Sequence, residues 1–205
     1  MKFALKAGIA LTTVAAAGVG VFSLAARPAW AADLKPPEIG AEMPGFSLKD
    51  TTGKEHSLAD LKGQVVVLTF CSQECPYSRG ADPTLNALAK KYTDGVTFFG
   101  VDSSVSNSVE DINQHIKDAE VPYAILKDSD NVYADAVGAK VTPEVFVVDK
   151  DGKLAYHGAP DNRTAPDAAP SENYLDDALA ALTSGEDVKT TTAKTWGCGI
   201  KRGKR

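Results

Sequence analysis

The sequence predicts an α/β domain in which helices cover a central sheet. Short apolar runs rich in strand-forming residues alternate with segments whose apolar residues recur at the spacing of one helix face. The turn Asp151-Gly152 separates the last two strand-like runs, and Gly138 and Gly185 follow two of the helical segments. Such alternation is typical of one sheet with helices packed against it.

Five segments have the composition of strands. Each is short and largely apolar and ends near polar or turn-forming residues, as expected for a strand whose faces are covered. The predicted strands are residues 64–70, 96–101, 123–126, 144–148 and 153–156.

Four segments are predicted to be helices. The longest begins near Pro76, and its apolar positions follow the spacing i, i+3, i+4, i+7. These positions are Leu85, Leu88, Ala89 and Tyr92. Pro83 lies inside this segment and predicts a kink or a restart of the helix. The shorter helices are predicted over residues 109–119, 131–137 and 174–182.

The first 31 residues have the pattern of a secretion signal. Lys2 and Lys6 form a basic start, an uncharged run rich in alanine and glycine covers residues 7–26, and Ala29-Trp30-Ala31 offers a small-x-small cleavage site. We therefore expect an exported, periplasmic or otherwise extracytoplasmic protein that is not stably embedded in a membrane after cleavage. A retained anchor is the alternative, because the uncharged run is just long enough to cross a bilayer.

The chain is accordingly divided into a signal peptide over residues 1–31, a domain over 32–185 and a C-terminal tail over 186–205. Within the domain, residues 158–172 are rich in proline and small residues and are predicted to form a surface loop. Loss of the signal removes Lys2, Lys6 and Arg27 but no acid, so the formal net charge changes from −5 to −8. An acidic chain is poorly suited to binding nucleic acid, which argues against that class of partner.

Cys75 is the first candidate for chemistry. It stands between a predicted strand and a predicted helix, and Pro76 suits the first helical turn because its missing N–H costs nothing there. A thiol at a helix N-terminus lies beside unpaired backbone N–H groups and the positive end of the helix dipole, and both favour the thiolate. The position therefore predicts a nucleophilic cysteine rather than a buried filler.

Three cysteines in an exported chain leave one thiol over after any single disulfide. Cys71, Cys75 and Cys198 all lie beyond the predicted signal, in a compartment where disulfides persist. The odd count and the close spacing of Cys71 and Cys75 favour exchanging thiols over a purely structural framework.

A resemblance to a known family rests on three motifs in order. Cys75-Pro76-Tyr77-Ser78 follows a strand, Thr142-Pro143 precedes another strand and an Asp-Gly turn, and Trp196-Gly197-Cys198-Gly199-Ile200-Lys201 closes the chain. The order resembles the thioredoxin superfamily, and within it the redoxins of the AhpC/TSA group, especially a peroxiredoxin-like branch. It implies a thioredoxin-like fold, with a mixed central sheet flanked by helices and an N-terminal hairpin within residues 40–63.

The resemblance also implies site roles. Cys75 matches the attacking cysteine of thioredoxins, Ser78 replaces their resolving cysteine, and Thr142-Pro143 matches the cis-proline loop that holds a substrate strand. Substrate binding is thereby expected at Pro76, Tyr77, Thr142 and Pro143. Leu68 stands where peroxiredoxins have proline and no arginine stands beside Thr142-Pro143, so disulfide exchange is favoured over peroxidase activity. The expected substrate is a protein dithiol or disulfide, or a small peroxide, and no cofactor is expected.

A second thiol must resolve the mixed disulfide that Cys75 would form, because the Ser78 hydroxyl cannot reduce it. The sequence leaves two candidates open. Cys71 is nearest along the chain, and Cys198 lies in a tail long enough to fold back.

Two other functions also fit the sequence. Cys71 and Cys75 resemble the copper-binding pair of Sco-type chaperones, with His157 as the third ligand, because thiolates and imidazole suit copper. In those chaperones the histidine precedes the strand, whereas His157 follows it. The last alternative is a redox-inactive binding module, which Ser78 and the missing arginine favour and the two neighbouring cysteines oppose.

Overall fold

Nine strands and four α-helices lie within residues 35–203, the part of the chain that the computed structural model describes. The strands are β1 (Ser47–Asp50), β2 (Glu55–Ser57), β3 (Val65–Phe70), β4 (Val96–Asp102), β5 (Ala124–Lys127), β6 (Val141–Thr142), β7 (Glu144–Val148), β8 (Leu154–Gly158) and β9 (Cys198–Gly199). The helices are α1 (Pro76–Lys91), α2 (Val109–Asp118), α3 (Val132–Ala136) and α4 (Tyr174–Ser184). The predicted signal peptide lies outside the described residues.

Seven strands form one mixed sheet in the order β2-β1-β5-β4-β3-β7-β8. Strand β3 pairs in parallel with β4 and antiparallel with β7, and all six of its residues are buried. A strand covered on both faces carries a nearly continuous apolar run, which is why Val65–Phe70 shows no alternation of polar and apolar residues. The predicted α/β class, the mixed sheet and the N-terminal hairpin, β1 with β2, are confirmed.

The core has one apolar layer on each face of the sheet. One layer places Leu68 and Phe70 of β3 against Phe146 and Tyr133. The other packs α1 and α4 on the opposite face, through side chains that include Val65, Val67, Leu85, Leu88, Leu175 and Leu179. Packing on both faces of the sheet thus fixes the position of the carboxyl end of β3 and of the start of α1.

Helix α1 continues through Pro83 as one helix of 16 residues. A restart at this proline was therefore a wrong prediction. The helix buries Ala81, Leu85 and Leu88 against the sheet on both sides of the proline, and this packing offsets the loss of one backbone hydrogen bond. Cys75 and the apolar face consequently belong to one rigid element.

The loop at residues 158–172 was predicted to lie at the surface, and residues 164–172 are exposed or half-buried, but the start of the loop is anchored in the interior. Asp161 and Arg163 are buried and form an ion pair of 2.5 Å between Oδ2 and Nη2. The Arg163 guanidinium also donates to the Gly80 carbonyl and the Thr84 hydroxyl of α1. A buried charge needs such partners, and here they attach the loop to the helix that begins at Cys75.

The C-terminal segment returns to the domain through a second, two-stranded sheet. Strand β9 pairs antiparallel with β6, with Thr142 opposite Cys198 and Val141 opposite Gly199. The Thr142–Pro143 peptide bond is cis. Ile200 is buried in the core beside these strands. None of the helices within residues 35–203 has the length and apolar character needed to cross a membrane.

Candidate active site

Cys75 occupies the N-cap of α1. Its Sγ lies 3.4 Å from the backbone nitrogen of Ser78, which donates to it, and Pro76 is the first helical residue. The helix forms here because proline already has helical φ and because the cysteine sulfur accepts a hydrogen bond that the first turn would otherwise lack. The nucleophile predicted from the sequence thus lies at a helix N-terminus.

Cys198 lies directly against Cys75. The two Sγ atoms are 2.6 Å apart, although the residues are 123 positions apart in the chain, and both are free thiols. The Sγ of Cys75 also lies 3.0 Å from the carbonyl oxygen of Thr142, opposite Cys198 in the β6–β9 pair. Because a disulfide bond measures about 2.05 Å, these two sulfurs can bond without a rearrangement of α1 or β9.

The environments of the two thiols separate their pKa values. Burial acts to raise the pKa of Cys75, but hydrogen bonds from Cys198, Thr142 and the backbone of Ser78 outweigh it and hold that pKa below the ordinary value. Burial and the neighbouring Cys75 sulfur raise the pKa of Cys198 to about 11. Of the two, Cys75 is therefore the thiolate, and Cys198 keeps the proton that it shares with Cys75.

Cys71 does not share this contact. Its backbone nitrogen donates to Val101 of β4, and its sulfur packs against Gly100 of the same strand. Burial, followed by the charges of Asp102 and Asp82, raises the pKa of the Cys71 thiol well above its ordinary value. The structure thus brings together Cys75 and Cys198, and it holds Cys71 as a protonated thiol against β4.

The residues expected to bind substrate surround the two sulfurs. Pro76 is exposed at the start of α1, and the backbone of Tyr77 donates to the Cys198 sulfur. Thr142 is buried and pairs with Cys198, and Pro143 follows it through the cis bond. The edge that the resemblance assigned to a substrate strand is therefore occupied by the chain's own C-terminal strand.

A cavity of about 160 Å³ opens beside the Cys75 sulfur. Its lining residues are Ser72, Glu74, Cys75, Ser104, Thr142, Cys198, Gly199, Ile200 and Lys201. Lys201 is the cation of this lining, and its Nζ lies 2.6 Å from the Glu74 carboxylate. No arginine lines the cavity within the described part of the chain, and its one lysine is paired with a carboxylate, so the arginine with which peroxiredoxins orient a peroxide has no counterpart in this lining.

His157 is committed to other contacts. Its Nε2 lies 2.7 Å from Oε1 of the buried Glu144, and its ring stacks on Phe146 with centroids 4.5 Å apart. The other carboxylate oxygen of Glu144 accepts from the backbone nitrogens of Lys140 and Val141. Residues 35–203 contain no group of three His, Cys, Asp or Glu side chains placed to hold a metal ion. Glu144 therefore orders the loop before Pro143, and His157 holds the Glu144 carboxylate in place.

A buried polar network runs from the sheet toward the site, and no sequence pattern indicated it. The amide of Asn107 donates to Asp102 and, at 3.1 Å, to the Ser72 hydroxyl. Lys127 lies 2.8 Å from the same Asp102 carboxylate. Burial raises the pKa of Asp102 despite these partners. The network fixes the turn between β3 and Cys75, because Ser72 lies within it.

Trp196 anchors the C-terminal segment two residues before Cys198. Its Nε1 donates to the backbone oxygen of Asp161 at 2.9 Å, and the Arg163 guanidinium lies 5.4 Å from its ring centre. Its ring also packs against Tyr77, with centroids 5.7 Å apart. The proline-rich composition of the loop at residues 158–172 gave no indication that Asp161 and Arg163 are buried. An isolated Asp-x-Arg among small residues could nevertheless have suggested an ion pair.

Comparisons with known proteins identify the family of this chain. A model of the AhpC/TSA family matches residues 39–157, more than half of the chain. The thiol-disulfide oxidoreductase ResA of Bacillus cereus strain ZK is 34% identical over 126 residues, which cover 60% of this chain and 70% of ResA. ResA of Bacillus subtilis (strain 168) is 27% identical over 151 residues, covering 73% of this chain and 80% of that protein.

A solved structure matches the chain over nearly its whole described length. It is a hypothetical protein from Sinorhizobium meliloti 1021, with a TM-score of 0.77 and 26% identity. The match covers 83% of this chain and 98% of the other. The shared architecture therefore extends beyond the region that the family model matches.

Proposed function

The chain belongs to the AhpC/TSA family and is a thiol oxidoreductase, and from that premise we propose that it exchanges disulfides with a partner protein through Cys75 and Cys198. The observation that supports this pairing is the 2.6 Å contact between the two sulfurs at the N-terminus of α1. The separated pKa values give the two thiols different roles, with Cys75 as the nucleophile and Cys198 as the resolving thiol.

The first step forms a mixed disulfide. The Cys75 thiolate attacks one sulfur of the partner disulfide, the partner's S–S bond breaks, and the departing partner thiolate takes a proton from water. The lowered pKa of Cys75 increases the fraction of the attacking thiolate at a given pH, and the backbone N–H of Ser78 stabilises it.

The second step releases the partner. Cys198 attacks the Cys75 sulfur, the bond between Cys75 and the partner breaks, and a Cys75–Cys198 disulfide forms while the proton from Cys198 passes to the departing partner thiolate. The partner leaves as a dithiol with two more electrons, and this chain has lost two. The same steps in reverse oxidise a partner dithiol, and the relative reduction potentials set the direction.

Disulfides suit this site better than peroxides do. Among the described residues no arginine lines the cavity beside Cys75, and the Lys201 ammonium is paired with Glu74, so the charge that develops on a departing peroxide oxygen gains little stabilisation. A small peroxide is the second substrate class, and the 160 Å³ cavity would admit it.

Export is the remaining part of the proposal. Its support is the basic start, the uncharged run and the Ala29-Trp30-Ala31 site. An oxidising compartment would let the Cys75–Cys198 disulfide accumulate between turnovers. N-terminal sequencing of the protein recovered from an extracytoplasmic fraction tests this, and an uncut leader would favour the membrane anchor.

The central experiment follows disulfide exchange in variants in which one cysteine at a time is replaced by serine. Cys75→Ser is expected to abolish the reduction of a protein disulfide, because it removes the nucleophile. Cys198→Ser is expected to accumulate the mixed disulfide on Cys75, which peptide mass mapping detects. If Cys71→Ser traps the mixed disulfide and Cys198→Ser does not, Cys71 is the resolving thiol. Full activity of Cys75→Ser would refute the mechanism.

A further inference from the structure

The tail and a substrate strand compete for one backbone edge. Strand β9 covers β6 in the position where a partner segment has to lie to bring its cysteine onto Cys75. We propose that the segment Gly197-Cys198-Gly199 occupies the position on β6 that a partner segment takes during exchange. A partner segment then binds only when the tail has left, and it must carry glycine immediately before its cysteine. This inference rests on the proposed exchange through Cys75.

The register of the two strands defines the position of the incoming cysteine. Thr142 lies opposite Cys198, and the Thr142 carbonyl oxygen lies 3.0 Å from the Cys75 sulfur. A residue paired with Thr142 therefore has its side chain beside Cys75. Any antiparallel segment that adds to β6 in this register places its cysteine where Cys198 lies, in the manner of strand addition to a sheet edge.

The residue before that cysteine is restricted. Gly197 has φ of +131°, a conformation that L side chains rarely adopt. A Cβ atom built on it would also overlap the carbonyl oxygen of Thr142 and approach Pro143. The residue after the cysteine is free, because a Cβ atom on Gly199 would meet nothing within 4 Å. A partner strand that follows the path of the tail meets the same two conditions.

The tail is held at both ends of this segment. On one side, Trp196 is fixed by the Asp161 backbone, the Arg163 guanidinium and the Tyr77 ring. On the other side, Ile200 is buried and Arg202 lies 2.9 Å from Asp135. Release of the tail requires the loss of these contacts. Trp196 is therefore one of the residues that control how often the β6 edge is open.

Shared use of the edge also couples resolution to release. After the mixed disulfide has formed, Cys198 reaches Cys75 only when β9 pairs with β6 again. That pairing displaces the partner segment from the same edge, so the attack that breaks the mixed disulfide also expels the reduced partner. The tail thus limits access before the reaction and clears the site after it.

The test uses the full chain with Cys198→Ser, in which the mixed disulfide is the end point. Two peptides differ in one residue, Trp-Gly-Cys-Gly-Ile-Lys and Trp-Ala-Cys-Gly-Ile-Lys, each carrying its cysteine as a disulfide with glutathione. Cys75 thiolate attacks the peptide sulfur and glutathione leaves as its thiolate. Mass spectrometry follows the protein–peptide adduct, and glutathione disulfide alone serves as the reference oxidant.

The glycine peptide is expected to react about tenfold faster than the alanine peptide, since a side chain in that backbone conformation is strained and would overlap the Thr142 carbonyl oxygen. Adding Trp196→Ala is expected to raise the rate at which Cys75 reacts with the glycine peptide severalfold relative to its rate with glutathione disulfide, because the tail leaves the β6 edge more often. Lys194→Ala is the matched control, since Lys194 is an exposed residue of the same segment. It should leave that ratio of rates unchanged.

The outcomes separate the two proposals. Equal rates for the two peptides would overturn the inference even if Trp196→Ala proved too unstable to purify. An unchanged ratio of rates in a folded Trp196→Ala chain would contradict the control of access by the tail. If Cys75 reacts with neither peptide nor with glutathione disulfide, the proposed function fails instead.

Discussion

At the scale of single residues, one contact performs two tasks. The Cys198 thiol hydrogen-bonds to the Cys75 sulfur, which stabilises the thiolate, and the same thiol is placed to attack once a mixed disulfide has formed. The proton that remains on Cys198 prevents both sulfurs from being charged at 2.6 Å. In the chain without a bound partner, the group that stabilises the Cys75 thiolate is therefore the same group that later resolves the mixed disulfide.

The pH profile of Cys75 alkylation tests this activation. In the reduced wild-type chain, the rate should rise with pH through a midpoint below that of an ordinary thiol, because the thiolate is the reactive form. Burial opposes the thiolate, so loss of the strongest favourable hydrogen bond in Cys198→Ala should move the midpoint upward. Iodoacetamide labelling, quantified on the peptide containing Cys75, measures it. An unchanged midpoint in Cys198→Ala would contradict the assigned role of Cys198.

The copper alternative is tested at His157. Because its Nε2 is paired with Glu144 and its ring stacks on Phe146, we predict that His157→Ala leaves copper binding to the reduced protein almost unchanged. Titration with Cu(II), followed by absorption spectroscopy, checks this, and Cys75→Ser is the control for binding through thiolate. Loss of a stoichiometric coloured complex in His157→Ala as well as in Cys75→Ser would favour the chaperone function.

At the scale of elements, the N-terminal hairpin depends on one carboxylate. Oδ1 of Asp50, the last residue of β1, accepts from the Thr52 hydroxyl and from the backbone nitrogens of Thr52 and Lys54. Its Oδ2 lies 2.8 Å from Nε2 of His56 on β2. The turn between the two strands is therefore organised by a side chain that must be ionised to accept all these bonds fully.

Acid should loosen this hairpin at a defined pH. Burial acts to raise the pKa of Asp50, but the hydrogen bonds from Thr52 and His56 outweigh it and lower that pKa to about 2. A lowered carboxyl pKa gives stability that is present above the unfolded value, 3.8, and is lost as the pH falls through about 2. With allowance for solvent screening, Asp50→Asn should lower the free energy of unfolding at pH 7 by about 1–2 kcal/mol.

Urea unfolding at a series of pH values measures the effect. In the wild-type chain, stability should fall between about pH 4 and pH 2 more steeply than in Asp50→Asn, which lacks the titrating group. Asp60→Asn is the control, because Asp60 is an exposed carboxyl in the short 3₁₀ turn after β2. If both variants show the same acid dependence as the wild type, the Asp50 carboxylate does not stabilise the turn.

At the scale of the whole molecule, the Cys75–Cys198 pair spans most of the described chain. A disulfide between residues 123 positions apart would close a loop that includes strands β4 to β8 and helices α1 to α4. Closing a loop of that length restricts the unfolded chain strongly. The redox state of the pair should therefore change global stability as well as reactivity.

Oxidation should stabilise the protein against denaturant. We predict that the oxidised chain unfolds with a free energy about 2–5 kcal/mol higher than that of the reduced chain, owing to the restricted unfolded state. Guanidinium unfolding of both forms, monitored by circular dichroism, measures the difference. Cys198→Ser should show no such change on oxidation, and a wild-type chain equally stable in both forms would argue against the Cys75–Cys198 bridge.

Local patterns in the sequence determined the elements and the position of Cys75. The apolar run of β3 and the helical spacing of Leu85 and Leu88 predicted buried elements, because apolar composition and periodicity can be read from residues close together in the chain. Pro76 after Cys75 predicted the helix start for the same reason. The restart predicted at Pro83 was wrong because packing along α1 outweighed the local cost of a proline.

Only the tertiary structure decided which groups meet Cys75. Cys71 is four residues away and packs against β4, whereas Cys198 is 123 residues away and lies against its sulfur. That choice depends on the β6–β9 pairing and on Trp196, which the buried Asp161 and Arg163 hold in place. These contacts join segments distant in the chain, so their free energy depends on the assembled fold and leaves no periodic signal in the sequence.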